Sequence, residues 1–149
     1  VKTAVLRRTA AAAAVGLTAA VTTALGAAPA QAAACSGTSG VTVIVDFTAV
    51  GGTIQTACAL GDPASGLAAL TGAGFTYGFV PRQPGFVCQI NTKPNPCNGA
   101  PVTAYWSYWH GTPGGSWTYS TSGAGAYNPA PGTVEGWAFG AGTAPGQAP

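Results

Sequence analysis

One histidine, three carboxylates and four cysteines are the residues of this chain whose chemistry could go beyond packing. The acids Asp46, Asp62 and Glu135 lie in separate segments, and His110 has no acid or cysteine near it in sequence. No G-x-S-x-G elbow, phosphate-cradling glycine loop, H-E-x-x-H motif or C-x-x-C pair occurs, so no nucleophile, metal or redox centre is written locally. The chain is therefore expected to be a non-enzyme with no metal site. Cys35, Cys58, Cys88 and Cys97 are even in number and lack zinc-site spacing, which points to two disulfides. Three pairings are possible; Cys88 with Cys97 and Cys35 with Cys58 are favoured because each closes a modest segment.

The denser signal is aromatic. Residues 105 to 110 read Tyr-Trp-Ser-Tyr-Trp-His, and in a strand alternate side chains point to opposite faces. Trp106, Tyr108 and His110 then share one side, and Tyr105, Ser107 and Trp109 the other. Trp117 with Tyr119, and Trp137 with Phe139, repeat the pattern further on. Rings in this density either supply buried area where Leu and Ile are scarce or form a surface on which a flat ligand or a sugar stacks. The candidate contacts are Trp106, Tyr108, Trp109, His110, Trp117 and Trp137. His110, beside a Gly-Thr-Pro-Gly-Gly turn region, reads as a polar residue at a hairpin mouth or as an axial ligand to a cofactor metal.

These side chains have to be positioned outside the cytoplasm. Lys2, Arg7 and Arg8 precede an uncharged Ala-rich run and two A-x-A sites, Ala30-Gln31-Ala32 and Ala32-Ala33-Ala34, the order of a secretory signal peptide. Residues 1–34 are expected to be that signal, with lipid attachment at Cys35 as a lesser alternative. Beyond it Arg82 and Lys93 stand against three acids, an excess of one negative charge. That balance excludes a row of phosphates, and so nucleic acid, as partner.

The single domain is expected over residues 35–140. Residues 41–48 alternate strictly, with Val41, Val43, Val45 and Phe47 on one face. Asp62 as cap and Pro63 as first helical residue predict a short helix ended by Gly72 or Gly74, with Leu67 and Leu70 facing the sheet. Short strands follow at 75–80 and 85–90, an irregular Pro/Asn/Gly loop at 91–101, an aromatic hairpin of residues 103–110 with 117–120, and a last strand at 132–140. The residues after 140 are rich in Ala, Gly and Pro and are expected to be a linker or tail. This is an α+β domain with a mostly antiparallel sheet and one packed helix.

Several segments resemble the C-terminal domain of the transcobalamin and intrinsic factor family, in an exported actinobacterial-type branch. The first strand is similar in Val41, Val43, Val45, Asp46 and Phe47, the helix in Ser65, Leu67, Leu70 and Gly74. Trp106, Tyr108 and Trp109 fall at the family's aromatic strand, and Gly132, Val134 and Trp137 at its closing one. The resemblance departs at His110-Gly111 and Gly132-Thr133, and the family's helical domain is absent. It implies a small β-grasp-like fold and a secreted module capping a corrinoid such as cobalamin, or another flat ligand. The implied partners are that ligand and a separate helical carrier domain or uptake transporter. The alternative is a cell-envelope adhesive module whose rings stack on glycan or protein.

Overall fold

The computed structural model describes residues 33–149; the signal-peptide reading falls almost wholly on residues outside this range. Seven strands and one α-helix follow in the order β1 (Val41–Asp46), β2 (Ile54–Ala59), α1 (Gly66–Gly72), β3 (Tyr77–Val80), β4 (Gln83–Ile90), β5 (Tyr105–Gly111), β6 (Thr118–Tyr119) and β7 (Val134–Gly140). Five of the strands form one mixed sheet in the order β2-β1-β7-β5-β6, and β3 with β4 forms a separate hairpin. The first and last strands run parallel at the centre of the sheet, flanked by antiparallel partners, with Val45 opposite Trp137. That is the β-grasp-like α+β arrangement expected of the sequence.

β1 is buried along its whole length. Its period-2 pattern sends Val41, Val43, Val45 and, just beyond the strand, Phe47 into one cluster with Leu70, Ile90, Trp106, Tyr108 and Trp137. The other face of β1 is also covered, although Thr42 and Asp46 on it are polar.

α1 has only seven residues and would not persist alone. It is held by Leu70 and Ala69, both with no exposed surface, and burying one leucine is worth about 1.5–3 kcal/mol. Its cap is Ser65, whose Oγ accepts the Ala68 N–H at 3.1 Å, not Asp62. The helix therefore begins after the Asp-Pro pair, and Gly66 takes the first position. Tyr108 explains why: a β-carbon on Gly66 would collide with the tyrosine hydroxyl.

Both disulfides form as expected, Cys35–Cys58 and Cys88–Cys97. The first ties the N-terminal segment to β2; the second ties β4 to the irregular loop. The return strand of the aromatic hairpin is shorter than expected. Only Thr118 and Tyr119 pair with β5, and Trp117 lies outside the ladder.

The largest departure is the Ala/Gly/Pro-rich segment after β7. Rather than leading away as a linker, residues 143–149 fold back across the second face of the sheet. Gly146 N–H donates to Asp46 Oδ2 at 2.8 Å and Gln147 Nε2 to Thr56 Oγ1 at 3.2 Å. Trp117 Nε1 donates to the Gln147 carbonyl at 2.7 Å, and Gly114 N–H to that of Pro149 at 2.9 Å. Pro145 and Pro149 sit over Gly136 and Gly111, where a β-carbon would lie 3.0 Å and 2.5 Å from the proline rings. A side chain at Gly111 would collide with Pro149 of the strap, and one at Gly136 with Trp117 first and then with Pro145.

Candidate functional site

Register fixes which rings meet. β5 and β7 pair Trp106 with Phe139, Tyr108 with Trp137 and His110 with Glu135, and side chains of such pairs share a face. This is the face that packs on the helix and the β3–β4 hairpin. Trp106 and Tyr108 are buried there, and Trp137 is almost inaccessible at 1 % exposure. Their rings interlock, Trp106 edge-on to Phe47 at 5.3 Å and Tyr108 tilted on Trp137 at 4.7 Å.

The opposite face carries Tyr105, Ser107 and Trp109. It is not the open platform that alternation allowed, because the strap covers it. Trp109 is half-buried against Tyr119, 5.0 Å away, with Nε1 donating to Ser107 Oγ at 2.9 Å. Trp117 is half-buried over Gly136. The six candidate residues therefore divide: Trp106, Tyr108, His110 and Trp137 stand together on the helix side, Trp109 and Trp117 on the strap side.

A groove of about 380 Å³ remains on the helix side. Its floor is Trp106, Tyr108 and Trp137; one wall is Phe86 and Val87 of β4, and the other runs from Tyr119 through Ser120, Thr121 and Ser122 to Ala124. Phe86 is 53 % exposed, and its ring stands at the rim; Tyr119, opposite Trp109 in the ladder, turns its ring to the strap side. Phe86 in a short hairpin strand is a signal the sequence offers for that position, whereas the hydroxyl wall carries no periodic one. Tyr105 closes one end, its hydroxyl 3.1 Å from that of Tyr119. The lining contains no acid, histidine, lysine or cysteine.

Beside the groove, deeper in the same face, lies a block of polar groups without partners. Among the described residues, the buried side-chain polar atoms lacking a hydrogen bond are Tyr108 Oη, His110 Nε2, Trp137 Nε1 and both oxygens of Glu135. All belong to two adjacent cross-strand pairs. Glu135 is 1 % exposed, and burial pushes its carboxyl up to about 8, so it is held neutral through most of the physiological range. The His110 ring lies tilted against Tyr127, ring centres 3.6 Å apart, and desolvation lowers its pKa. Neutral groups at these two positions avoid the far larger cost of an unpaired buried charge. Among the described residues no cluster of three or more His, Cys, Asp or Glu side chains could hold a metal ion.

The family described as the SCO2322-like domain matches residues 98–149, a stretch that runs from the loop before β5 through the strap. No curated protein and no solved structure matches. The match replaces the transcobalamin and intrinsic factor resemblance, whose residues are those of a β-grasp-like sheet and its helix rather than of that family. A fold-level pattern of valines, glycines and rings is shared too widely to carry a family assignment.

Proposed function

We propose that this chain is an exported, non-enzymatic binding module of the cell envelope or its surroundings, and that the groove over Trp106, Tyr108 and Trp137 takes an uncharged ring-bearing ligand, the pyranose rings of a glycan first. One observation carries the reading: an aromatic floor and the half-exposed ring of Phe86 at the rim face a wall of three hydroxyl side chains, with no charged residue in the lining. Rings stack on the apolar face of a sugar while hydroxyls match its edge. The volume lies in the range of small-ligand sites. Export is supported by the two disulfides, which persist in oxidising compartments. Among the described residues no helix is long and apolar enough to cross a membrane. The corrinoid reading rested on the replaced family and is not carried further.

The test is a titration of soluble cell-wall oligosaccharides against tryptophan fluorescence, with pull-down on the insoluble polysaccharide. Saturable binding is expected, weakened at least ~10-fold by Phe86→Ala, whose exposed ring can be removed with little effect on stability. Absence of saturation at millimolar sugar, or an unchanged affinity in Phe86→Ala, would overturn the reading.

A further inference from the structure

The groove runs along an unpaired edge of β5. Ser120 N–H donates to the Tyr108 carbonyl at 2.9 Å, and β6 pairs only with Trp109 and His110. Backbone groups alternate sides along an antiparallel strand, so Trp106, Tyr108 and His110 direct theirs away from β7 and toward β6. Before Tyr108 that side has no strand on it, since β6 has ended and β4 belongs to the separate hairpin. The N–H and C=O of Trp106 and the N–H of Tyr108 are therefore without a ladder partner. The lining agrees. Tyr105 comes from the strap side of the sheet, and Trp106, Tyr108 and Trp137 come from the helix side; the two faces meet only at an edge.

We propose that the groove selects N-acetylated amino sugars, holding the acetamido group between the free edge of β5 and the hydroxyl wall of residues 120–122. The inference rests on the glycan reading of the groove and adds the substituent it recognises.

The open edge is short. At one end Asn98 Nδ2 donates to the Ala104 carbonyl at 2.8 Å, and at the other Ser120 N–H holds the Tyr108 carbonyl. A strand typically pairs over five or six residues, so the three groups between these ends leave no length for an added peptide strand. A single secondary amide fits. Its C=O and N–H lie on opposite sides of the planar trans unit, so the oxygen can accept from Trp106 or Tyr108 N–H while the N–H turns to the far wall. There Ser120 Oγ is engaged by Ser122, donating to its carbonyl at 2.6 Å and accepting its N–H at 3.2 Å. The exposed hydroxyls of Thr121 and Ser122 are left to meet the amide.

Two further facts favour this substituent. Trp106 and Tyr108 are 5 % and 7 % exposed, and a buried backbone donor gains most from an acceptor that reaches it. An acetamido oxygen extends further from a stacked pyranose ring than a hydroxyl does. The uncharged lining offers no counter-charge to an ionised substituent.

The experiment titrates the protein, disulfides intact, with tri-N-acetylchitotriose and with cellotriose, which has the same β-1,4 backbone and a hydroxyl in place of each acetamido group. Tryptophan fluorescence gives affinity, and amide exchange locates the contact. The acetylated sugar is expected to bind at least ~10-fold more tightly, the equivalent of one well-placed hydrogen bond. It should slow exchange at Trp106 or Tyr108 several-fold and leave Trp109, whose N–H points to β7, unchanged. The exposed-wall variant Thr121→Ala/Ser122→Ala should shrink the preference between the two sugars. Equal affinities, or a preference that leaves exchange at both Trp106 and Tyr108 untouched, overturn the inference. If other cell-wall oligosaccharides saturate the groove and tri-N-acetylchitotriose does not, the inference falls alone; if no sugar saturates it, the groove reading falls too. A capped trialanine peptide that binds more tightly than either sugar would make the edge a peptide seat and likewise overturns the proposal.

Discussion

The two faces of the central sheet are buried by different means. On the helix side, rings and branched side chains from five elements interlock around Trp137, and the polar atoms caught among them have no partners. On the strap side, a chain segment with hardly any side chains lies over two glycines, and the buried polar groups there are satisfied. Asp46 accepts from Thr48 Oγ1, Thr48 N–H and Gly146 N–H, and Ser107 donates to the Ala138 carbonyl. The first face is stabilised mainly by apolar area, which is non-directional and tolerates orphaned donors at a cost. The second is held by a small set of directed bonds, each of modest net worth. The difference predicts that the helix side is the thermodynamic core and the strap side the exchangeable one.

The largest test of that contrast is Trp137→Ala. The indole is almost inaccessible and wedged between Val45 and Tyr108, so its loss removes a large transfer term and leaves a cavity. Denaturant unfolding with the disulfides intact should show a loss of about 3–5 kcal/mol. Trp117→Ala on the strap side should cost well under half of that. Equal losses would break the distinction between the faces.

The buried carboxyls of the two faces titrate in opposite directions. Glu135 has a folded pKa raised to about 8 from 4.5 by burial, so the folded state holds its proton where the unfolded state has released it. Its contribution is fully present below pH 4.5 and is lost as pH rises through about 8. His110 has a lowered pKa and acts below its ordinary value of 6.5, where the unfolded state takes up the proton. Between pH 6.5 and 8 only Glu135 should matter, and stability should fall by about 2 kcal/mol, at about 1.4 kcal/mol per pH unit. Asp46 behaves oppositely. Burial raises its pKa, but the bonds from Thr48 and Gly146 outweigh burial and leave it lowered. Its contribution is present above 3.8 and lost as pH falls through the folded value, loosening the strap in acid. Glu135→Gln should flatten the slope from 6.5 to 8 and leave the acid limb in place; a slope that survives the substitution would remove the buried carboxyl from the account.

Most of the helix-side architecture was legible in the residues. Strict alternation over 41–47 marks a strand whatever surrounds it, and Leu67 and Leu70 fall on the inner side of a helix that the Asp-Pro pair announced three residues early. The cap moved to Ser65 because Gly66, and only glycine, leaves room for the Tyr108 hydroxyl, a tertiary demand that no local rule encodes. The two disulfide pairings followed from short segment lengths. The strap was illegible for a different reason. Ala-Gly-Pro composition describes a segment that cannot build a core of its own, and it carries no periodicity to show that glycines at 111 and 136 make a place for its prolines. The groove was half legible: its floor is the aromatic strand, but its hydroxyl wall and the rim ring of Phe86 come together only through the sheet order. The partnerless block at Glu135 had no signal at all beyond an acid two residues before a tryptophan.

The smallest expected effect sharpens the comparison most. Trp117→Phe keeps an aromatic ring over Gly136 while removing the N–H that holds the Gln147 carbonyl. That carbonyl lies at the surface and can turn to water, so the loss should fall at the low end of the ~0.5–1.5 kcal/mol typical of one hydrogen bond. Global unfolding would shift little. Amide exchange at Gly146, whose N–H is tied to Asp46 next to the released carbonyl, should quicken by several-fold, while exchange at Val43 in the fully buried β1 should stay within error of the wild type. A uniform change at both sites would mean that strap and core open together, and the two faces would then be one cooperative unit.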